Sequence, residues 1–224
     1  MSTPYYQDDA VTLYHGDCLE VTEWLAADVL VTDPPYGMAY DSRWVKGRQR
    51  PIANDRDAAA RDSALAQWGD RPALVFGTWR APRPAKTKAV IVWDKTDGVG
   101  PGMGDLSAPF GTSHEEIYQL GTWKRPAGIP RQGSVIRTAV VMGTPSGLVA
   151  TVGHPTPKPV PLMERLVAAV PPGTIADPFA GSGSTLVAAR NLGRAAIGVE
   201  LEERYCEIAA RRLAQDCLDL DSVS

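Results

Sequence analysis

The stretch Val29-Leu30-Val31-Thr32-Asp33-Pro34-Pro35-Tyr36 joins an apolar run to a double-proline turn. Each proline has a fixed φ and no N–H, and the residue before a proline is pushed to an extended conformation. The pattern predicts a buried strand that ends at a stiff corner carrying a carboxylate and an aromatic ring. Asp33 and the Pro34 carbonyl can accept hydrogen bonds from an amino group on a planar ring, and Tyr36 can stack on that ring. The alternative is an ordinary turn with a capping Asp, since short motifs carry a false-positive risk.

A second junction between a strand and a turn lies near the end of the chain. Residues 174–176 precede Asp177-Pro178-Phe179-Ala180-Gly181-Ser182-Gly183-Ser184-Thr185, and a helical pattern follows. Glycines at such a junction let the backbone approach a ligand closely, and Glu200, which ends the next predicted strand, can bind ribose hydroxyls. The turn lacks a third glycine and a P-loop lysine, which counts against a pyrophosphate ligand. The Asp177 carboxylate and the Phe179 ring suit a cationic, adenosine-bearing ligand better than a polyphosphate. A tight turn followed by a surface Glu is the alternative.

The composition indicates one globular domain. A chain of 224 residues, 44% hydrophobic and 22% charged, is long enough for one sizeable core and too short for two comfortable ones. No apolar run approaches the roughly 20 residues of a membrane span, and the N-terminus has no signal-peptide pattern. The three cysteines are widely spaced, so free thiols, no metal and a cytoplasmic location are expected. The net charge of −3 still allows a local basic face.

Apolar runs that alternate with helical patterns predict an α/β fold with a doubly wound, mostly parallel sheet of seven strands. A helix between the first two strands suggests a βαβ unit, in which the strands are parallel. The predicted strands cover residues 11–14, 28–32, 73–77, 89–93, 114–120, 174–176 and 195–199, with 114–120 at an edge of the sheet. The predicted helices cover residues 18–27, 62–68, 159–170, 186–192 and 204–215, followed by a frayed acidic tail over 216–224.

Two segments carry clustered positive charge. The stretch from Gly121 to Met163 contains no Asp or Glu but includes Lys124, Arg125, Arg131, Arg137 and Lys158. Since nucleic-acid binding depends on clustered Lys and Arg rather than on total charge, this stretch is a candidate surface for phosphates. A solvated basic loop is the alternative. The irregular segment over residues 38–62 adds Arg43, Lys46 and Arg48, and its length is typical of a functional lid.

These motifs together resemble those of the S-adenosylmethionine-dependent DNA amino-methyltransferases. Asp33-Pro34-Pro35-Tyr36 matches their catalytic D-P-P-Y, and the segment from Asp177 to Thr185 matches their D-P-F-x-G-S-G-T cofactor loop. His15-Gly16-Asp17 matches their G-D, and Thr156-Pro157-Lys158-Pro159 is similar to their T-Q-K-P, with Pro157 in place of Gln. The resemblance implies that Asp33, Pro34, Pro35 and Tyr36 are catalytic. It implies a cofactor site of Asp17, Thr156, Lys158, Asp177, Phe179, Ala180, Gly181, Ser182, Gly183, Ser184, Thr185 and Glu200.

The resemblance covers nearly the whole chain. The catalytic stretch comes first and the cofactor loop last, which is the permuted order of the β class. The resemblance therefore implies a Rossmann-like methyltransferase fold in a single domain over residues 1–224, with a short target-recognition insertion at about 121–153. It implies DNA as the partner and allows a homodimer. The expected DNA-binding residues are Arg43, Lys46, Arg48, Lys124, Arg125, Arg131 and Arg137.

The implied reaction is methyl transfer from S-adenosylmethionine to the amino group of a base flipped out of DNA. Adenine N6 is expected rather than cytosine N4, because enzymes of this family that act on cytosine more often have Ser at the position of Asp33. Three other possibilities stay open: cytosine-N4 methyl transfer, methyl transfer to RNA or to a protein glutamine, and a non-catalytic binding module. Asp33 and the motif order count against the RNA and protein enzymes, which usually carry N-P-P-Y after the cofactor loop.

Overall fold

The computed structural model describes residues 2–36, 57–96, 98, 100, 102, 107–125, 127–128, 130–138 and 157–221, with side chains described up to residue 215. The strands are β1 (Tyr6–Gln7), β2 (Val11–His15), β3 (Val29–Thr32), β4 (Ala73–Gly77), β5 (Ala89–Asp94), β6 (His114–Leu120), β7 (Val135–Arg137), β8 (Ile175–Asp177) and β9 (Ala196–Glu200). The α-helices are α1 (Ala59–Trp68), α2 (Val160–Ala169), α3 (Ser184–Asn191) and α4 (Glu203–Asp221), and Glu23–Ala26 forms a 3₁₀ turn.

The strands of the described residues form one mixed sheet in the order β1-β2-β9-β8-β3-β4-β6-β5-β7. The pairs β2–β9, β9–β8, β8–β3, β3–β4 and β5–β7 are parallel, and the pairs β1–β2, β4–β6 and β6–β5 are antiparallel. The predicted α/β class and mostly parallel sheet are confirmed. The strand number of seven is wrong, because the short strands β1 and β7 extend the sheet at its two edges to nine strands in the described residues.

Three predicted elements differ from the structure. The strand predicted at the edge, β6, lies inside the sheet between β4 and β5, with Ile117 and Tyr118 fully buried. The helix predicted over residues 18–27 is only the 3₁₀ turn Glu23–Ala26. The tail predicted to fray from residue 216 continues α4 to Asp221.

The core lies on both faces of β3 and β4, in which every residue is buried. Continuous apolar runs of this kind are typical of parallel strands that are covered on both sides. On one face Trp24 stacks on Trp68 of α1, with 5.7 Å between the ring centroids. On the other face Leu162 and Leu166 of α2 join the buried side chains of α3. The central strands are thereby held from both sides.

The parallel pairing brings the carboxyl ends of β2, β9, β8, β3 and β4 to the same side of the sheet. This edge runs across the strand ends and is distinct from the two outer strands β1 and β7. The antiparallel strand β6 begins at this same edge, because Glu116 pairs with Gly77 at the end of β4. Ligands of open α/β sheets bind outside the carboxyl ends of the strands. Segments that are distant in sequence, such as the double-proline turn and the glycine-rich turn, therefore meet at a single edge.

Candidate active site

The corner predicted at Asp33 lies at the carboxyl end of β3. Pro34 is buried, whereas Asp33 and Tyr36 remain partly exposed. The Tyr36 hydroxyl donates a hydrogen bond to Asp33 Oδ1, and Lys158 Nζ lies 2.7 Å from Asp33 Oδ2. Each carboxylate oxygen of Asp33 thus has a partner from this chain, so an incoming amino group must share or replace one of them.

Lys158, which lies just before α2, is the buried centre of a cluster of partly buried ionic side chains. Its Nζ lies 3.2 Å from Glu115 Oε2, in addition to its contact with Asp33. Lys95 Nζ lies 3.1 Å from the other oxygen of Glu115, Oε1. The sequence predicts Lys158 among the cofactor residues, and the structure places its ammonium group beside Asp33 at the double-proline corner. Two carboxylates and two ammonium groups therefore balance one another at the edge of the sheet.

The groups of this cluster have shifted pKa values. Burial lowers the pKa of Lys158, but the attraction of Asp33 and Glu115 outweighs burial and leaves the pKa raised. Burial raises the pKa of Asp33, and Lys158 offsets that effect only in part. Burial also raises the pKa of Glu115, but Lys158 and Lys95 outweigh it and the net shift is downward. Glu115 therefore stays ionised, and Asp33 is the more basic of the two carboxylates relative to its ordinary value.

Sequence reasoning missed Glu115 as a member of the site. Glu115 is the second residue of a strand that the sequence predicts at the edge of the sheet, and it belongs to none of the motifs. Only the antiparallel pairing of β6 with β4 and β5 brings Glu115 to the edge where β3 ends. Its one local signal is a position next to another acid, Glu116, in a strand that is otherwise mostly apolar.

The glycine-rich loop joins β8 to α3 at the same edge. Gly181 and Gly183 have φ values of 51° and 79°, a left-handed conformation that favours glycine. A Cβ atom on Gly183 would lie 2.9 Å from the Cβ of Ala209, so the missing side chain lets α4 pack closely. Arg212 of α4 donates a hydrogen bond of 2.6 Å to the Ser182 carbonyl. Arg212, which the sequence did not single out, thus fixes the loop from α4.

Glu200 is the last residue of β9, and Asp17 follows the neighbouring strand β2. The Gly16 N–H donates a hydrogen bond of 2.9 Å to the Glu200 carbonyl. The Glu200 carboxylate accepts the N–H groups of Gly181 and Glu202, each at 2.8 Å. Glu200 therefore positions the glycine-rich loop, and each of its oxygens keeps a second lone pair for a ribose hydroxyl. Asp17 Oδ1 accepts the Leu19 N–H at 2.9 Å, which orients its carboxylate at the end of β2.

Asp177 connects the glycine-rich loop to the strand that precedes Asp33. Its Oδ1 accepts a buried hydrogen bond of 2.7 Å from the Thr32 hydroxyl and one of 3.2 Å from the Phe179 N–H. Burial raises the pKa of Asp177 to about 7, although hydrogen bonds from Thr185, Thr32 and Phe179 oppose the shift. A nearby positive charge would stabilise the ionised form.

These residues fit the cationic, adenosine-bearing ligand that the sequence predicts. Asp17, Asp177 and Glu200 lie at the ends of three neighbouring strands, beside a loop whose Gly181 and Gly183 adopt left-handed conformations. Carboxylates suit a positively charged ligand and ribose hydroxyls, whereas the same carboxylates would repel a polyphosphate.

The basic residues predicted to bind DNA are only partly within the described residues. Thr156 of the cofactor set, the basic residues Arg43, Lys46 and Arg48, and residues 139–153 of the predicted recognition segment lie outside them. Lys124, Arg125 and Arg131 are exposed. Arg137 is exposed at the end of β7, where its Nε lies 3.7 Å from Asp94 Oδ2.

Trp79 and Arg80 form an exposed pair beyond the carboxyl end of β4. Trp79 is 58% exposed, and the Arg80 guanidinium lies 5.1 Å from its ring centroid.

In the residues that the structure describes, no cluster of three or more His, Cys, Asp or Glu could hold a metal ion. No helix within this same part of the chain combines the length and apolarity needed to cross a membrane.

Comparison with known proteins finds relatives along most of the chain. Residues 143–211 match a family described as DNA methylase. The chain is 32% identical over 218 residues to the "Putative methylase YubD" of Escherichia coli (strain K12), covering 89% of this chain and 88% of that protein. It is 26% identical to the type II methyltransferase M.ScaI of Streptomyces caespitosus, covering 98% of this chain and 86% of that protein.

Solved structures share the fold. The complex of M1.HpyAVI with SAM superposes with a TM-score of 0.61 at 23% identity, covering 91% of this chain and 98% of that chain. The PvuII DNA methyltransferase, described as cytosine-N4-specific, superposes with a TM-score of 0.60 at 16% identity, covering 93% of this chain and 88% of that chain. The expected Rossmann-like methyltransferase fold is thereby confirmed.

The raised pKa of Asp177 predicts a specific pH dependence of stability. Because the folded-state pKa of about 7 lies above the ordinary value of 3.8, the folded protein binds the proton more tightly, and stability falls as the pH rises between these values. Asp177→Asn removes this effect. Between pH 5 and pH 8, the unfolding free energy of the cofactor-free wild type should fall by roughly 1–3 kcal/mol relative to the variant.

Urea unfolding at both pH values checks this prediction, with Asp94→Asn as the control. Hydrogen bonds from Thr96 lower the pKa of Asp94, so Asp94 does not titrate between pH 5 and pH 8. Asp94→Asn should therefore leave the change in unfolding free energy over this range as it is in the wild type. Parallel stability profiles for the wild type and Asp177→Asn would show that Asp177 is ionised throughout this range.

Proposed function

This chain belongs to the S-adenosylmethionine-dependent DNA methyltransferases that modify adenine N6 or cytosine N4, and we propose that its own target is adenine N6. The observation that supports this proposal is the Asp33 carboxylate at the end of β3, which the Tyr36 hydroxyl orients. Thr32, the residue before Asp33, is hydrogen-bonded to Asp177 of the glycine-rich segment. The preference for adenine rests on Asp33 itself, since family members that act on cytosine more often have Ser there.

The proposed mechanism depends on how the corner at Asp33 holds the amino group of the target adenine. The lone pair of the amino nitrogen is delocalised into the ring, so this nitrogen is a poor nucleophile. Hydrogen bonds to Asp33 and to the Pro34 carbonyl favour a pyramidal nitrogen, and Tyr36 stacks on the base. S-adenosylmethionine, when bound, supplies the sulfonium methyl group that the nitrogen receives. Positioning is then the main catalytic contribution, and no covalent enzyme intermediate is needed.

The amino nitrogen gains a methyl group and must lose a proton. Asp33 is placed to accept that proton, because it already accepts the hydrogen bond of the amino group in this mechanism. The burial that raises the pKa of Asp33 makes its carboxylate a better base. The oxygens of Asp33 therefore serve two steps, orientation of the amino group and removal of the proton.

A duplex hides adenine N6, so the nucleotide must leave the base stack before methyl transfer. We infer that Lys124, Arg125, Arg131 and Arg137 bind phosphates, since they are exposed in a stretch free of acids. Arg137 ends β7 at the same edge as Asp33, whereas Lys124 and Arg125 follow the end of β6 at the opposite edge of the sheet. Trp79 and Arg80 add an exposed aromatic ring and a positive charge beyond β4, the strand next to β3. Aromatic rings and guanidinium groups both stack on unpaired bases.

The target atom can be identified by mass spectrometry of nucleosides from DNA that the purified protein has methylated. We expect N6-methyladenine to accumulate with time and N4-methylcytosine to stay at the level of a reaction without S-adenosylmethionine. Exclusive formation of N4-methylcytosine would contradict the adenine proposal while leaving the family assignment intact.

The basic stretch should control the affinity for DNA and its salt dependence. Replacing Arg125, Arg131 and Arg137 with Gln should weaken DNA binding and reduce the slope of log affinity against log salt by roughly one unit per lost phosphate contact. Fluorescence anisotropy at several salt concentrations measures both quantities.

Arg211→Gln is the control for this experiment, because Arg211 is an exposed arginine of α4 that pairs with Glu207. It should leave DNA affinity and the salt slope unchanged. If the triple variant behaves like Arg211→Gln, the basic stretch is a solvated loop.

A further inference from the structure

Glu115 is a carboxylate at the active-site edge to which the reaction described above gives no role. It lies near the start of β6, and its side chain is 21% exposed. Lys95 holds Oε1 from the turn after β5, and Lys158 approaches Oε2 from the segment before α2. Two separate segments thus converge on one side chain of a third, and this indicates a role beyond covering the sheet.

Lys158 lies between two carboxylates at unequal distances. Its Nζ is 2.7 Å from Asp33 Oδ2 and 3.2 Å from Glu115 Oε2. Glu115 Oε2 is buried and accepts no hydrogen bond of good geometry from the described residues, but the Lys158 ammonium group lies 3.2 Å away as its ionic partner. A buried carboxylate oxygen favours a full hydrogen bond, so Glu115 Oε2 can take a closer contact from Lys158.

The arrangement matters because both oxygens of Asp33 already have a partner. Tyr36 donates to Oδ1 and Lys158 contacts Oδ2, so the amino group of the target base has to share an oxygen with one of them or replace it. A buried ammonium group that lost its partner would carry a large desolvation penalty. Glu115 removes that penalty for Lys158, since it offers a second carboxylate within reach of the same Nζ.

We propose that Glu115 is a positioning residue that takes over Lys158 when the target base enters, so that Asp33 Oδ2 becomes available to the amino group. Lys95 keeps Glu115 oriented toward Lys158 during this exchange. Glu115 touches neither the base nor the methyl donor and acts only through Lys158. This inference rests on the proposed role of Asp33 in methyl transfer.

The test is Glu115→Gln, which preserves the size of the side chain but removes its charge. With S-adenosylmethionine and DNA both saturating, the single-turnover rate should fall by roughly tenfold or more, because Asp33 stays paired with Lys158. The affinities for S-adenosylmethionine and DNA should change less than about twofold, since Glu115 is assigned to neither binding surface.

Glu116→Gln is the matched control, because Glu116 is the adjacent carboxylate on the same strand. It pairs instead with Arg83 at 2.9 Å and with the Tyr118 hydroxyl at 2.6 Å. Its single-turnover rate should match that of the wild type. A rate for Glu115→Gln equal to that of the control would overturn the inference.

The pH profile separates positioning from a general loss of structure. Asp33 faces Tyr36, Lys158, Glu115 and Asp177, and the negative charge of Glu115 helps to raise the pKa of Asp33. Glu115→Gln removes that charge and so lowers the pKa of Asp33. The acid limb of the single-turnover rate plotted against pH should therefore move to lower pH, whereas Glu116→Gln should leave the acid limb in place. A misfolded or weakened variant would lose rate without moving the limb, and that result would also overturn the inference.

A double-mutant cycle tests whether Glu115 acts through Lys158. Adding Glu115→Gln to a Lys158→Met variant should cost no further rate, because the ammonium group to be held is gone. An undiminished cost in that background would contradict the mechanism. If Glu115→Gln matches the wild type while Asp33→Ala is inactive, only this inference fails, whereas an active Asp33→Ala variant removes the proposed function beneath it.

Discussion

The parallel pairing of β3 with β8 is the constraint on which the rest of the site depends. It places the double-proline corner beside the glycine-rich loop, and the buried hydrogen bond from Thr32 to Asp177 joins residues 145 positions apart in sequence. Catalytic and cofactor segments that are remote along the chain thereby share one edge of the sheet. Because both strands are buried in the centre of the sheet, the distance between the two segments is set by the core rather than by loops.

The second constraint is electrostatic. Buried Lys158 and the partly buried side chains of Lys95, Asp33 and Glu115 form a cluster in which opposite charges balance, and removing any one of them leaves an uncompensated charge. Buried ion pairs contribute little net stability compared with apolar side chains of the same size. Their presence at the end of the catalytic strand is therefore better explained by the chemistry of Asp33 than by folding. In the proposed mechanism Asp33, whose pKa is raised, is the base, and Glu115, whose pKa is lowered, stays a fixed anion.

The sequence predicts the centre of this protein well and its periphery poorly. The central strands and the two motif-bearing turns carry strong local signals, in which a continuous apolar run ends at Pro or Gly. The short strands β1 and β7 have only two and three residues, so they show no periodicity. The position of β6 inside the sheet and the role of Glu115 depend on antiparallel pairing with distant strands. No local pattern reports that pairing, and the contribution of Arg212 to the glycine-rich loop is equally non-local.

The central claim is that methyl transfer requires Asp33, whereas the cofactor site forms without Asp33. The most direct measurement compares Asp33→Ala with the wild type in two assays, calorimetric titration with S-adenosylmethionine and transfer of a labelled methyl group to DNA. The account predicts cofactor affinity within a few-fold of the wild type and a loss of transfer of at least about a hundredfold. Substantial methyl transfer by the folded Asp33→Ala variant would contradict it.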